Sequence, residues 1–210
     1  MIRILIADDH AVVRRGLTQI VGDAGDIEVA GEACDYASVF AFLRETPVDV
    51  VLLDISMPGR SGLEILKSLR ERGEKVPVLI LSMFPEDQYA LRALKLGASG
   101  YLTKDSAPQL LVDAIRAAAA GRRYVGPELA LLLAQHMSEP DGRAPHERLS
   151  DREFETLRLI ASGKKLSDIA ETLHLSPKTV SVYRARVMEK MQLKSNAELT
   201  HYAVRHGLIE

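Results

Sequence analysis

VVLLDISMPGRSG, residues 50–62, sets the reading of the first half of this chain. Four uninterrupted apolar residues run into Asp54, and a Pro/Gly-rich loop follows at once. An apolar run of that length without alternation fits a strand covered on both faces. Pro58 fixes the chain after the acid, and Gly59 and Gly62 allow tight turning before the next helix. Three further runs end in the same manner: ILIA (4–7) leads into Asp8-Asp9, VLIL (78–81) into Ser82, and YLT (101–103) into Lys104. Strands are expected over 2–7, 27–33, 48–53, 76–81 and 99–102. Helical periodicity occupies 12–23, 36–45, 61–72, 86–96 and 106–120. In 61–72, for example, Leu63, Leu66 and Leu69 share a stripe that excludes Lys67 and Glu71. Five βα units predict an α/β domain over 1–121, a doubly wound five-stranded parallel sheet. Strand C-termini of such a sheet open on one edge, so three acids, a hydroxyl and an amine are expected in one cleft.

Composition sets the bounds. Of 210 residues, 47% are hydrophobic and 27% charged, which suits a folded chain and not a disordered one. No apolar run approaches the roughly 18 residues of a membrane span, and MIRILIADDH lacks the apolar core of a signal peptide. A cytoplasmic protein without a membrane partner is expected. The single cysteine, Cys34, excludes an internal disulfide and reads as a small buried hydrophobe. The six His are scattered without ligand spacing. Charge is uneven: residues 1–121 hold 13 Lys+Arg against 17 Asp+Glu, a balance of −4, and residues 147–210 hold 11 against 9, a balance of +2. Two domains with different partners follow.

After AAAAG, with Gly121 as a helix end, the segment 122–147 reads as a linker that includes a weaker helix opening on Pro127. SEPDGRAPHE (138–147) is its Pro/Gly/acid-rich part. From 148 to 210 the pattern is all-α, four helices in a small helix-turn-helix domain. Ser150 and Glu153 form a capping box, Ser167 is a candidate N-cap of the second helix, Ser176-Pro177 opens the third, and Gly207 ends the fourth. Val180, Tyr183, Val187 and Met191 make an inward stripe on the third helix. Lys178, Thr179, Ser181, Val182, Arg184, Ala185 and Arg186 lie outside or beside it. Within 176–194 five bases face one acid. A basic helix alone is usually a solvated face, but the preceding short turn and the N-terminal cap favour a recognition helix on DNA.

The strand-end residues carry a definite chemistry. Taken singly, an Asp at a strand end is most often a helix N-cap. Asp8, Asp9 and Asp54 together repel one another unless a divalent cation neutralises them, and oxygen-only ligands suit Mg²⁺. Asp54 is then a candidate nucleophile for a phosphoryl group, Lys104 a point-charge partner and Ser82 a hydroxyl donor. Neither a GxxxxGK[ST] loop nor a GxGxxG turn after a strand is present. A Mg²⁺-dependent phosphatase working through an aspartyl-phosphate would need a second acid two residues after the nucleophile, and Ser56 stands there. No enzyme acting on an external substrate is expected.

These residues carry a resemblance. Asp8-Asp9, DISMPGRSG (54–62), Leu81-Ser82 and GASGYLTKD (97–105) resemble the flavodoxin-like receiver domain of bacterial response regulators. LSDREFETLRLIASG, DIAETLHLSPKTVSVYRARVMEKMQLKS and NAELTHYAVRHGLI resemble the LuxR/FixJ-type (NarL-type) DNA-binding domain, with Tyr183 where many members carry His. The resemblance implies a phosphorylation-dependent transcription regulator that receives its phosphoryl group on Asp54 from a sensor histidine kinase. It implies Mg²⁺ held by Asp9, Asp54 and the Ser56 backbone carbonyl with Asp8 assisting, phosphoryl oxygens held by Ser82 and Lys104, and Tyr101 as the switch aromatic. It further implies double-stranded promoter DNA as partner and a homodimer in the active state, with Leu199, Tyr202 and Ala203 of the last helix as exposed interface candidates; a core role in the fourth helix explains those three residues equally well.

Overall fold

The computed structural model describes residues 1–84, 86–138 and 144–209. Half of the 138–147 linker stretch thus lies outside the described residues. The chain divides into two units, Met1–Ser138 and Glu139–Glu210. The first unit alternates strand and helix: β1 (Ile2–Ala7), α1 (Ala11–Gly22), β2 (Ile27–Ala33), α2 (Tyr36–Glu45), β3 (Val50–Asp54), α3 (Gly62–Glu71), β4 (Val78–Ser82), α4 (Glu86–Lys95), β5 (Gly100–Thr103), α5 (Pro108–Ala119) and α6 (Pro127–Ser138). The strands form one all-parallel sheet of order β2-β1-β3-β4-β5.

That order, joined by right-handed crossovers, fixes the face on which each helix lies. The step from β1 to β2 runs one way along the sheet and every later step runs the other way, so α1 lies on the face opposite α2, α3 and α4. Side chains alternate between faces. Ile4, Ile6, Val50, Leu52, Leu79 and Leu81 point into one core with Val21 of α1 and Leu111, Ala114, Ile115 and Ala118 of α5. Their neighbours Leu5, Val51, Leu53 and Ile80 are equally buried toward the other helical layer. Burial on both faces explains why these strands lack alternation in sequence. Capping boxes start the helices that follow β2 and β3: Asp35 accepts from the Ser38 amide at 2.7 Å, and Ser61 exchanges bonds with Glu64.

β3 and β4 begin two residues later than expected, after Pro47 and Pro77, so Asp54 and Ser82 are the last residues of their strands. Cys34 departs from expectation outright. It is exposed, because β2 is an edge strand that ends at Ala33 and Cys34 already lies in the turn, its amide donating to Ser38 Oγ at 3.1 Å. α6, within the segment read as linker, packs on α4 and buries Leu129.

The second unit is helical: a 3₁₀ turn (Pro145–Arg148), then α7 (Asp151–Ala161), α8 (Leu166–Thr172), α9 (Pro177–Met191) and α10 (Asn196–Arg205). Phe154, Leu157, Ile160, Ile169, Val180, Val187, Leu199 and Ala203 form its core. Ser167 is not the cap of α8. Lys165 occupies that position without a side-chain bond, and Ser167 sits inside the first turn with its hydroxyl on Asp168 Oδ1 at 2.8 Å.

Candidate functional site

The strand order reverses between β1 and β3, and open α/β sheets place their crevice outside the strand ends at such a point. Ala7 pairs with Leu53, which brings Asp8 and Asp54 side by side. β5 delivers Lys104 one residue beyond its end, fixed by a 2.7 Å bond from the Lys104 amide to the Ser82 carbonyl. Lys104 Nζ stands 2.7 Å from Asp8 Oδ2 and 3.0 Å from Asp54 Oδ2. Both carboxylates are buried, and the Lys104 side chain is 9% exposed. Asp9, from the same tight turn, is better exposed, and His10 Nδ1 approaches its Oδ1 at 2.8 Å.

Gly62 is a packing necessity behind this site. A Cβ there would stand 2.0 Å from the Asp54 carbonyl oxygen, and the Gly62 amide donates to the Ile55 carbonyl at 2.8 Å. The loop after Asp54 therefore closes on itself, with the positive φ carried by Gly59. Close approach, not turning, is what Gly62 supplies.

Burial pushes the Asp54 carboxyl above the ordinary carboxylate range, and the Asp8 charge adds to that. The Lys104 ammonium and the Ser56 backbone oppose the rise without cancelling it. Burial works against the Lys104 charge too, but Asp54 and Asp8 outweigh it and its pKa is raised. Three carboxylates against one ammonium leave a surplus of negative charge. One potential ligand atom from each of Asp8, Asp9, His10 and Asp54 lies within 4.8 Å of the others. Oxygen-rich, acidic and compact, this donor set fits a hard divalent cation.

Ser82 and Tyr101 are joined through the backbone of Phe84. The Phe84 amide donates to Ser82 Oγ at 3.0 Å, and the Tyr101 hydroxyl donates to the Phe84 carbonyl at 2.8 Å. Tyr101 is fully buried in this arrangement. The sequence placed both side chains near the cleft and gave no sign of the residue that links them, because the link is main chain.

In the second unit α8 and α9 meet across His174, which takes a left-handed conformation, and the Leu175 amide returns to the Ala170 carbonyl at 2.8 Å. Ser176 caps α9 by accepting from the Thr179 amide at 3.1 Å. Val180, Val187 and Met191 are buried as expected, with Tyr183 half-buried beside them. Lys178, Ser181, Val182, Ala185 and Arg186 are exposed on one side of the helix. Two expected contacts stand apart from that face. Thr179 is half-buried with its hydroxyl on Ser176 at 2.8 Å, and Arg184 is turned to α10, its Nε donating to Asn196 Oδ1 at 2.9 Å.

Of the two roles open to the apolar residues of α10, the structure gives Leu199 and Ala203 the core one and denies their exposure. Leu199 and Ala203 are fully buried in the domain core, and Tyr202 is half-buried with His146 Nδ1 at 2.8 Å from its hydroxyl. What α10 exposes instead is Asn196, Ala197, Glu198, His201, Val204 and Arg205. Sequence reading also missed two ion pairs that involve α7, one buried and one with an exposed lysine from α9. Arg152 reaches Glu155 at 2.8 Å, both buried, and Lys190 reaches the buried Glu153 at 2.6 Å. DREFE looks like a solvated first turn, and nothing local signals that helices from either side cover it.

Comparison with known proteins agrees with this geometry. The model of the response regulator receiver domain matches residues 4–116, and that of bacterial regulatory proteins of the luxR family matches 147–203. The response regulator UvrY of Escherichia coli (strain K12) is 40% identical over 209 residues, 99% of this chain and 96% of that protein. The response regulator GacA of Pseudomonas aeruginosa is 38% identical over 211 residues, covering 100% and 99%. Among solved structures, a LuxR-family two-component response regulator from Aurantimonas sp. SI85-9A1 is 37% identical with a TM-score of 0.62, over 66% of this chain and 99% of that one. RcsB of Salmonella enterica serovar Typhimurium, bound to promoter rprA with phosphomimetic BeF3-, is 27% identical with a TM-score of 0.64, over 96% and 97%. Among the described residues no helix is long and apolar enough to cross a membrane. The chain belongs to the two-component response regulators that couple a receiver domain to a LuxR-family DNA-binding domain and control transcription through phosphorylation.

Proposed function

We propose that Asp54 is the phosphoacceptor. Its carboxylate oxygen attacks the phosphorus of a sensor kinase's phosphohistidine, the phosphorus–nitrogen bond breaks, and the imidazole leaves with the electron pair. The observation that carries this is the convergence of Asp54, Asp8 and Lys104 within 3.0 Å contacts at the sheet's switch point. Asp8, Asp9, Asp54 and the Ser56 carbonyl are the residues that would hold Mg²⁺, which when bound supplies positive charge against the incoming phosphoryl oxygens. Lys104 would contribute a second positive charge to the phosphoryl oxygens, and Ser82 would offer its hydroxyl proton to one of them. Turning Ser82 to that task withdraws the acceptor from the Phe84 amide, and the Phe84 carbonyl holds the Tyr101 hydroxyl. Displacing Phe84 thus repositions Tyr101, which supports its part as the switch aromatic.

In the cytoplasm, phosphorylation shifts a pre-existing equilibrium toward a homodimer that presents two α9 helices to promoter DNA. Lys178, Ser181, Val182, Ala185 and Arg186 face the duplex. Thr179 and Arg184 brace the helix from its flanks, and Ala197, His201 and Val204 of α10 are the surface offered to the second copy. Intact-mass measurement after treatment with acetyl phosphate and Mg²⁺ tests the acceptor assignment. One added phosphoryl group on the wild type and none on Asp54→Asn is expected; equal labelling of both would overturn it.

A further inference from the structure

We propose that His10 makes the acidic pocket a mixed nitrogen/oxygen cation site, able to hold first-row transition-metal divalents such as Co²⁺ through its imidazole. The proposal rests on the assignment of Asp8, Asp9 and Asp54 as a cation site. His10 occupies the N-cap of α1, where Ser, Thr, Asp or Asn would ordinarily bond the helix amides. Its side chain makes no such bond. The ring instead turns back on the acids, Nδ1 at 2.8 Å from Asp9 Oδ1 and 3.3 Å from Asp8 Oδ1. Its backbone is pinned, since the His10 amide donates to Asp8 Oδ1 at 2.8 Å.

Geometry allows a closed site. Ligands held about 2.1 Å from a metal lie at most about 4.2 Å apart. The four candidate atoms span 4.8 Å, so a shift of about half an ångström closes the set around one ion. The ring is 59% exposed, so that shift disturbs no packing. Ligation requires the tautomer with the proton on Nε2, which frees the Nδ1 lone pair. Carboxylates alone favour hard cations, whereas an imidazole donor moves preference toward cobalt, nickel and zinc. His10 is therefore the residue that sets which divalent cation the pocket prefers.

The test uses the full chain at fixed pH, with wild type, His10→Ala and His10→Gln. Substoichiometric Mn²⁺ that Mg²⁺ can displace is read by pulsed electron paramagnetic resonance for coupling to nitrogen, and Co²⁺ and Mg²⁺ affinities are measured by calorimetry. Nitrogen coupling is expected in the wild type and in neither variant. Co²⁺ affinity should fall about tenfold or more in both variants, with Mg²⁺ affinity held within about twofold. Nitrogen coupling absent from the wild type or kept in the variants, or an unchanged Co²⁺ affinity, overturns the role of His10 while leaving the pocket intact. Mn²⁺ binding that Mg²⁺ does not displace and that survives Asp54→Asn overturns the pocket assignment itself.

Discussion

Lys104→Met separates the electrostatic account of the site from a purely packing one. The methylene stem is replaced by a side chain of similar length, and the ammonium is lost from between two buried carboxylates. At an effective dielectric of about 20, the contacts of 2.7 Å to Asp8 and 3.0 Å to Asp54 correspond to gross attractions of about 6 and 5.5 kcal/mol. Desolvation of the ammonium consumes most of that, and removal of one partner from a buried pair costs about 3–5 kcal/mol net. Proton uptake limits the loss. Asp54 already has a raised pKa with Lys104 present, and without the ammonium it protonates more readily still. A destabilisation of about 3 kcal/mol is therefore expected at pH 8 in chelator, shrinking as the pH falls and Asp54 takes up its proton. Linkage requires a second effect: a cation removed from the pocket raises the affinity for a divalent cation entering it. Urea unfolding of the full chain with and without Mg²⁺, at pH 8 and pH 5.5, reads both effects. Equal stability of variant and wild type in chelator, together with unchanged Mg²⁺ affinity, would refute the reasoning.

Two further outcomes follow from the second unit. The Glu153 carboxyl is opposed by burial, but Lys190 and the Ser150 bonds prevail and hold it below its ordinary 4.5. A carboxyl with a depressed folded pKa adds stability above its unfolded value and loses it as pH falls through the folded one. Glu153→Gln should thus cost about 2 kcal/mol at pH 7, with part of the ion-pair share discounted because Lys190 is partly exposed. The gap to wild type in thermal unfolding should begin to close as the pH falls below 4.5 and vanish only below the depressed folded value, and a gap independent of pH would count against this account. On α9, Arg186→Ala and Lys178→Ala should each lower the salt dependence of DNA binding by about one phosphate contact. Arg184→Ala should change that slope little, because its guanidinium is held by Asn196. Fluorescence anisotropy with a promoter duplex across a salt series would reveal a reversed order.

Much of the receiver could be read from residues alone because its logic is periodic. Runs such as VVLL and VLIL announce buried parallel strands, and parallel topology by itself gathers Asp8, Asp54, Ser82 and Lys104 on one edge. Order along the chain could be read; distance could not. That Lys104 bridges two carboxylates, or that Phe84 connects Ser82 to Tyr101 through its main chain, depends on contacts between residues far apart in sequence. Cys34 was misread because residue type suggested burial while an edge strand's end dictated exposure. Leu199 and Ala203 could not be assigned from residues alone, because an apolar stripe on a last helix serves a core and an interface equally well in one dimension; the structure gives them the core role. The charged start of α7 is the converse case: Arg152, Glu153 and Glu155 look solvated and are covered by neighbouring helices.

In the proposed function, a phosphoryl group on Asp54 governs occupancy of DNA by α9. Genome-wide occupancy of the wild type and of Asp54→Ala, expressed at equal levels under a condition in which the wild type is phosphorylated, tests it most directly. Loss or marked weakening of the wild-type sites in Asp54→Ala is predicted. The same sites at the same strength in both strains would contradict it.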